Sequence, residues 1–401
     1  METFTKRQLK APYRIYGTGH EASAIQQLDN ACSLPVTLYG AGMPDLQTGY
    51  GLPIGGVIAV DNAVIPYAVG KDIACRMRLT LFDVEDPERY IHECHDNLVH
   101  ILEEETRFGL GAHYEDFERK DHKVMYDPRW NDTEFLSDLK DNAWSQLGTS
   151  GSGNHFAEFG VIDILQRQNP GFPTGKWLAL LTHGGSRNTG SQVCDKYSKL
   201  AQSVISDLPH ELLELAWLPL DSVFGREYWT AMELMGDYAQ ANHQIMHEDI
   251  TSRLMFDVVA WVENHHNFAW KEWWGNTKAI IHRKGATPAH KGVYGVIPGT
   301  MNTPAYLVQG KGNSESMFSA SHGAGRAMSC KKAKASFTRE EMNQILAEAH
   351  VTLISGSLDE ISSGYKNIET VMAAQTDLVD IIGKFTPRIV KMAHGKKRAW
   401  E

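Results

Sequence analysis

Residues 177–187 read Trp177-Leu-Ala-Leu-Leu-Thr-His-Gly-Gly-Ser-Arg187. The stretch from Trp177 to Thr182 is uncharged and mostly apolar, and turn-forming residues follow it. That is the pattern of a buried strand. His183 then stands at the C-terminal end of the strand, where functional groups commonly sit. The residues after it suit oxyanions. Small residues let backbone N–H groups approach oxygen, and the Arg187 guanidinium neutralises charge.

Working outward, Gly51–Val60 and Ala63–Val69 read as strands, and 278–310 returns to strands and turns. Helical spacing predicts helices over 86–107, 132–147, 190–208 and 226–250. The apolar stretch 252–264 reads equally as helix or strand. Thr338 with Glu341 three residues on has capping-box spacing, and 366–381 reads as a last amphipathic helix. Strands and helices alternate without a βαβ rhythm, so the expected class is α+β rather than a doubly wound sheet.

The 401 residues and their 42% apolar content allow a large core. A net charge of −10 argues against a protein held to nucleic acid by bulk positive charge. The basic stretches 283–291, 326–334 and 387–398 could still line a local channel. Five cysteines without a CxxC fit a reducing compartment. No apolar signal core opens the sequence, and no stretch reaches the roughly 18 apolar residues of a span. A cytoplasmic protein without a membrane association is expected.

Several other segments carry chemistry-bearing residues. In His322-Gly-Ala-Gly-Arg326 the imidazole can attack phosphorus or hold a metal. Asp72 and Cys75 can face one metal if the backbone turns between them, and a thiolate can bridge two metals. The plain alternative is a buried cysteine beside a capping aspartate. Gly148-Thr-Ser-Gly-Ser-Gly-Asn-His-Phe-Ala-Glu158 can wrap a phosphate, with His155 a ligand, Asn154 a donor and Glu158 a carboxylate partner. It also reads as a glycine turn before a strand. His265-His-Asn267 offers one histidine to ligate and one to pack. Lys284, in His282-Arg-Lys-Gly-Ala-Thr287, can pair with a nucleotide phosphate or be a solvated cation. Together Asp, Cys and three His make a mixed N/O/S set suited to a transition metal rather than calcium.

Taken in chain order, these segments resemble the RtcB family of RNA-splicing ligases. Met43-Pro-Asp45 and Gly49-Tyr-Gly-Leu-Pro-Ile-Gly-Gly56 belong to the same pattern, which runs from about Met43 to the C-terminus. The resemblance implies one catalytic domain over 1–401, with central β-sheets flanked by helices. It implies joining of RNA 2′,3′-cyclic phosphate or 3′-phosphate ends to 5′-hydroxyl ends, with GTP and two Mn²⁺. His322 would be guanylylated. Asp72, Cys75, His155, His183 and His266 would hold the metals, with Cys75 bridging. Asn154, Phe156, Glu158, Lys284, Thr300, Gly323, Ala324 and Gly325 would contact the guanylate. Arg326, Arg187 and Arg76 would face phosphate or RNA. Fragments of tRNA or rRNA are the implied substrates, and an archease-like activator is a partner some members use.

The chain departs from the family pattern on the substrate side. Arg76 replaces the glycine after the bridging cysteine, Gln47 a histidine, and Cys330 a second arginine. The Gly-Gly-Ser-Arg-Asn run after His183 and Pro298-Gly-Thr-Met-Asn-Thr-Pro-Ala305 are altered as well. A divergent substrate preference is expected, with Arg76 supplying the phosphate charge that Cys330 lost. Two other readings stay open. One is a metal-dependent phosphoesterase or nucleotidyl transferase on another acceptor. The other is a non-catalytic RNA-binding paralogue.

Overall fold

The structure, a computed structural model, describes residues 2–4, 9–165 and 171–394. Residues 395–398 of the third basic stretch, and Met1 and residues 5–7 of the N-terminal stretch, lie outside them.

Thirteen strands form two sheets. They are β1 (Tyr13–Ile15), β2 (Thr37–Gln47), β3 (Ile54–Val60), β4 (Arg76–Phe82), β5 (Phe156–Ile164), β6 (Gly175–Gly184) and β7 (Val258–His265). Then come β8 (Asn267–Trp274), β9 (Thr277–Lys284), β10 (Tyr294–Ile297), β11 (Ala305–Gly310), β12 (Thr352–Ser355) and β13 (Val379–Met392). The larger sheet runs β7-β4-β6-β5-β13-β11-β10, with β12 parallel to β13. Its two edges approach each other, since Asn264 Oδ1 on β7 accepts from Val296 N on β10 at 3.0 Å, so the sheet nearly closes into a barrel. The smaller sheet runs β8-β9-β3-β2-β1. His266 is the single residue between β7 and β8, and there the chain passes from one sheet to the other.

Antiparallel pairing decides where the candidate ligands go. Starts of some strands share a rim with the ends of their neighbours. Residues 76 and 77 at the start of β4 pair with His265 and His183 at the ends of β7 and β6. Phe156 at the start of β5 also pairs with His183. Cys75, His155, His183 and His266 therefore come from one rim, although 191 residues of chain separate the first from the last.

The mixed α+β class stands, and the Trp177–Thr182 stretch lies within β6 as read. The helix over 132–147 is Glu134–Gln146, and Thr338 makes its capping box with Glu341. The helices predicted over 190–208 and 226–250 are Arg187–Val204 and the longer Val223–Thr251. Three expectations need correction. Residues 63–69 are strand only at Ala63–Val64, because Pro66 then opens a short helix, Pro66–Val69. The helix over 86–107 is two, Pro87–Glu93 and His95–Glu105, broken where Cys94 leaves helical dihedrals. The last amphipathic helix spans only Ile368–Ala373, and from Val379 the chain is β13, a long central strand. Pairing of Val379–Ile381 with β11 overrides the local helical spacing at its end. The undecided 252–264 stretch is turn and irregular chain to residue 257 and the edge strand β7 from Val258. Among the described residues, no helix is long and apolar enough to cross a membrane.

Candidate metal centre and adjoining clefts

Cys75 is the hub of the site. Its Sγ lies 3.0 Å from His183 Nε2 and 3.4 Å from His155 Nε2. His155 Nε2 is 2.9 Å from Asp72 Oδ2. Ligand atoms of Cys75, His183 and His266 lie within 4.8 Å of one another, as do those of Asp72, Cys75 and His155. Two triads thus share one sulfur.

The surroundings hold each donor in place. Asp72 Oδ1 accepts from Ser186 N at 2.8 Å and Ser186 Oγ at 3.2 Å. A Cβ on Gly185 would come within 2.2 Å of that oxygen, which explains the second glycine after His183. Asn154 O takes His183 Nδ1 at 3.1 Å, and Arg187 donates to His155 Nδ1 at 3.0 Å. The first contact leaves the His183 Nε2 lone pair turned to the sulfur. An Nδ1 that accepts from Arg187 instead puts the His155 proton on Nε2, toward Asp72 Oδ2, where a bound cation would displace it. Burial opposes the Asp72 charge, but the His155 contact, Arg187 and the Ser186 N–H outweigh it and hold the carboxylate well below its usual range. Burial lowers the pKa of His155, and far more that of His183 and His266, which keeps the rings neutral. It raises the Cys75 thiol, helped by Asp72 beside it.

His266 Nδ1 is buried without a hydrogen-bond partner. Together with a sulfur between two imidazoles, that orphan fits a metal. The N/O/S set suits a borderline transition ion, and a thiolate can serve two ions at once.

His322 closes the site from a separate two-stranded ladder. It follows the short strand Ser319–Ser321, which pairs with Ala286–Pro288 beyond β9. Its ring centroid is 5.0 Å from that of His266. Asp45 Oδ2, fully buried, accepts from His322 N at 3.0 Å, His322 Nδ1 at 2.7 Å and Gly323 N at 3.3 Å. Nδ1 carries the donated proton, so Nε2 has the free lone pair. Gly325, at φ +73°, leaves room for the Asp45 backbone, because a Cβ there would meet Asp45 O at 2.4 Å.

A cleft of about 650 Å³ opens beside His322 and His183. Asn154, Phe156, Glu158 and Thr300 line it, as do Gly323, Ala324, Gly325 and Arg326. Burial raises the Glu158 carboxyl well above its usual range, so it can donate as well as accept. A second cleft of about 290 Å³ is lined by Asp72, His155, Arg187 and Lys71, and Asn154 lines both.

Some predicted residues lie elsewhere. Lys284 lines neither cleft. It is buried, its ammonium donates to Tyr50 O and, at 3.0 Å, to Tyr67 O, and burial brings its pKa down to about 8. It holds the cleft rim from behind rather than facing a nucleotide. Arg76 also lines neither cleft. Its guanidinium is buried and pairs with Glu263 at 2.8 Å, so the expected role in restoring a lost phosphate charge is corrected. Arg326 reaches the first cleft, but it already pairs with the buried Glu360 at 2.6 Å and donates to Asp359 O at 2.8 Å. Sequence reading gave no role to Asp45 or Glu360. Asp45 could have been suspected from Met43-Pro-Asp45, whereas nothing in the sequence near Glu360 marks it.

Convergent donors that could hold a cation, an oriented imidazole and two flanking clefts make this the candidate active site. Sequence comparison narrows this. The family described as tRNA-splicing ligase RtcB matches residues 27–134 and 129–393, and the chain belongs to that family. It is 33% identical over 401 residues to the RNA-splicing ligase RtcB of Escherichia coli, covering 93% of this chain and 95% of that one. It is 30% identical over 461 residues to the tRNA-splicing ligase RtcB of Nanoarchaeum equitans, covering 95% of each. With that of Methanococcus maripaludis it shares 29% over 427 residues, 88% of this chain and 87% of the relative.

Proposed function

We propose that this chain is an RNA ligase that joins a 3′-phosphate or 2′,3′-cyclic phosphate end to a 5′-hydroxyl end, using GTP and two manganese ions. The observation that carries the reading is the His322 ring, fixed by Asp45 with Nε2 free beside the Cys75-centred donor set and at the edge of a nucleotide-sized cleft.

Asp72, Cys75 and His155 would hold one ion, and Cys75, His183 and His266 the other. Bound there, the pair would supply Lewis-acid stabilisation of phosphoryl oxygens. The chain's own residues do the rest. Asp45 keeps the Nδ1 proton and stabilises the charge the ring gains. His322 Nε2 attacks the α-phosphorus of GTP, the bond to the pyrophosphate oxygen breaks, and pyrophosphate leaves. GMP then passes from His322 to an oxygen of the RNA 3′-phosphate. The 5′-hydroxyl attacks that phosphorus, loses its proton and releases GMP. Splitting the transfer through a histidine replaces one hard step by easier ones.

Asn154, Phe156 and Glu158 line the first cleft and would meet guanylate there, with the backbone of 323–325 toward its phosphate. Arg187 and Lys71, the latter half-exposed and paired with Asp195 at 2.9 Å, make the second cleft the natural entry for an RNA end. Since the candidate ligands span residues 72 to 266 and His322 adjoins them, 1–401 acts as one catalytic domain. All five cysteines are free, in keeping with a reducing, cytoplasmic setting.

Incubation with labelled GTP and Mn²⁺ tests the reading. An acid-labile protein–GMP adduct, absent from His322→Ala, is expected. Metal-dependent phosphate release without an adduct would instead indicate a phosphoesterase.

A further inference from the structure

The turn carrying Asp72 and Cys75 is held in an unfavourable backbone conformation. Ala74 sits at φ +57°, in the left-handed region that residues with a Cβ avoid. Such a conformation persists only where its surroundings over-determine it. Ala74 N donates to Asn267 O at 2.7 Å, and Cys75 O accepts from His266 N at 3.0 Å. Asn267 Nδ2 donates to Asp72 O at 3.1 Å. All three ties join the turn to the link between β7 and β8, where His266 sits.

A further tie comes from a residue that the family pattern lacks. Arg76 Nε donates to Ala74 O at 3.4 Å, and its Nη1 pairs with Glu263 Oε1 on β7 at 2.8 Å. Both side chains are largely buried, with 5% and 12% exposed. Arg78 lies 3.8 Å from the other Glu263 oxygen, so one carboxylate serves two guanidinium groups. Arg76 is paired with His265 in the β4–β7 register, one residue from a candidate ligand on each strand.

We propose that Arg76 is a positioning residue for the metal centre, pinning the strained Asp72–Cys75 turn to β7 so that Cys75 is held in register with His266. The proposal rests on the metal-centre reading above and adds a role that a glycine at this position cannot perform. It also gives the buried guanidinium a function unconnected with RNA phosphate. Loss of Arg76 leaves Glu263 still paired with Arg78, so the ion cluster is not left with an unpaired carboxylate.

Cobalt(II) is a suitable probe, because a thiolate ligand gives it an intense near-ultraviolet charge-transfer band. The metal-free full chain would be titrated with Co²⁺ alone, following the band and the stoichiometry. Wild type is expected to bind two ions with the thiolate band. Arg76→Met, which keeps the apolar stem, should bind Co²⁺ at least tenfold more weakly with a diminished band. Arg76→Lys keeps the buried charge balanced but reaches only one of the two acceptors, so intermediate affinity is expected. It also serves should the methionine variant not fold. Wild-type affinity and band in the variants would overturn the proposal, as would a loss confined to RNA-end binding. A wild-type chain that binds Co²⁺ without a thiolate band would overturn the metal-centre reading itself.

Discussion

Asp45 decides which nitrogen of His322 is free, by accepting the Nδ1 proton and two backbone N–H groups with one oxygen. Asp45→Asn keeps the shape but can present an amide N–H to the ring, which favours the wrong tautomer. GMP-adduct formation in rapid-quench experiments should fall by on the order of 10²-fold, with the Mn²⁺ sites intact. An unchanged rate would remove Asp45 from the account. At Cys75 the expectation concerns pH. Burial and Asp72 hold the thiol protonated at neutral pH, whereas a metal takes the thiolate. Binding must therefore release a proton, and affinity must rise with pH, by up to about tenfold per unit for one proton. Calorimetry in buffers of different ionisation heat at pH 6.5 and 8.0 measures both quantities. A flat affinity without proton release would contradict the thiolate.

Among the elements, the turn after β6 is where sequence and geometry agree most closely. The strand is legible in Trp177–Thr182 because its apolar run is short and ends in glycines. The reason for Gly185 is not legible, because it lies in a contact with Asp72, 113 positions away. Gly185→Ala should displace that carboxylate and reduce tightly bound Mn²⁺ from two to one, as read by metal analysis after gel filtration. Two ions in the variant would show that Asp72 is dispensable. The Thr338 cap was legible because it depends on four consecutive residues, and Thr338→Ala should cost about 1 kcal/mol in denaturant unfolding. No loss would mean the capping box contributes nothing there. The 366–381 segment was misread for the opposite reason. Its apolar spacing suits a helix, which Ile368–Ala373 forms, but β11, far away in sequence, pairs with Val379–Ile381 and makes them the start of β13.

For the whole molecule, the ligand set was legible as residue types in family order, whereas the convergence was not. It depends on antiparallel register bringing the starts of β4 and β5 to the ends of β6 and β7, and on His266 joining the two sheets. The substrate side was read less well. Arg76, Arg326 and Lys284 look like free cations in a sequence, and each is held by Glu263, Glu360 or backbone carbonyls. None of these three is a free cation for RNA, and the chain carries −10 overall. Binding of a short single-stranded RNA end should show a shallow salt dependence, with a log–log slope of about −1 to −2 from contacts at Arg187 and Lys71. A slope several times steeper would place the RNA on a basic surface outside the second cleft.

The central claim is that one sulfur joins two metal triads within reach of His322. Anomalous scattering at the manganese edge from a metal-soaked crystal tests it most directly. Two peaks about 3.5–4 Å apart are expected, both bonded to Cys75, one shared with Asp72 and His155 and the other with His183 and His266. A single peak, or two peaks that do not share Cys75, would contradict the account.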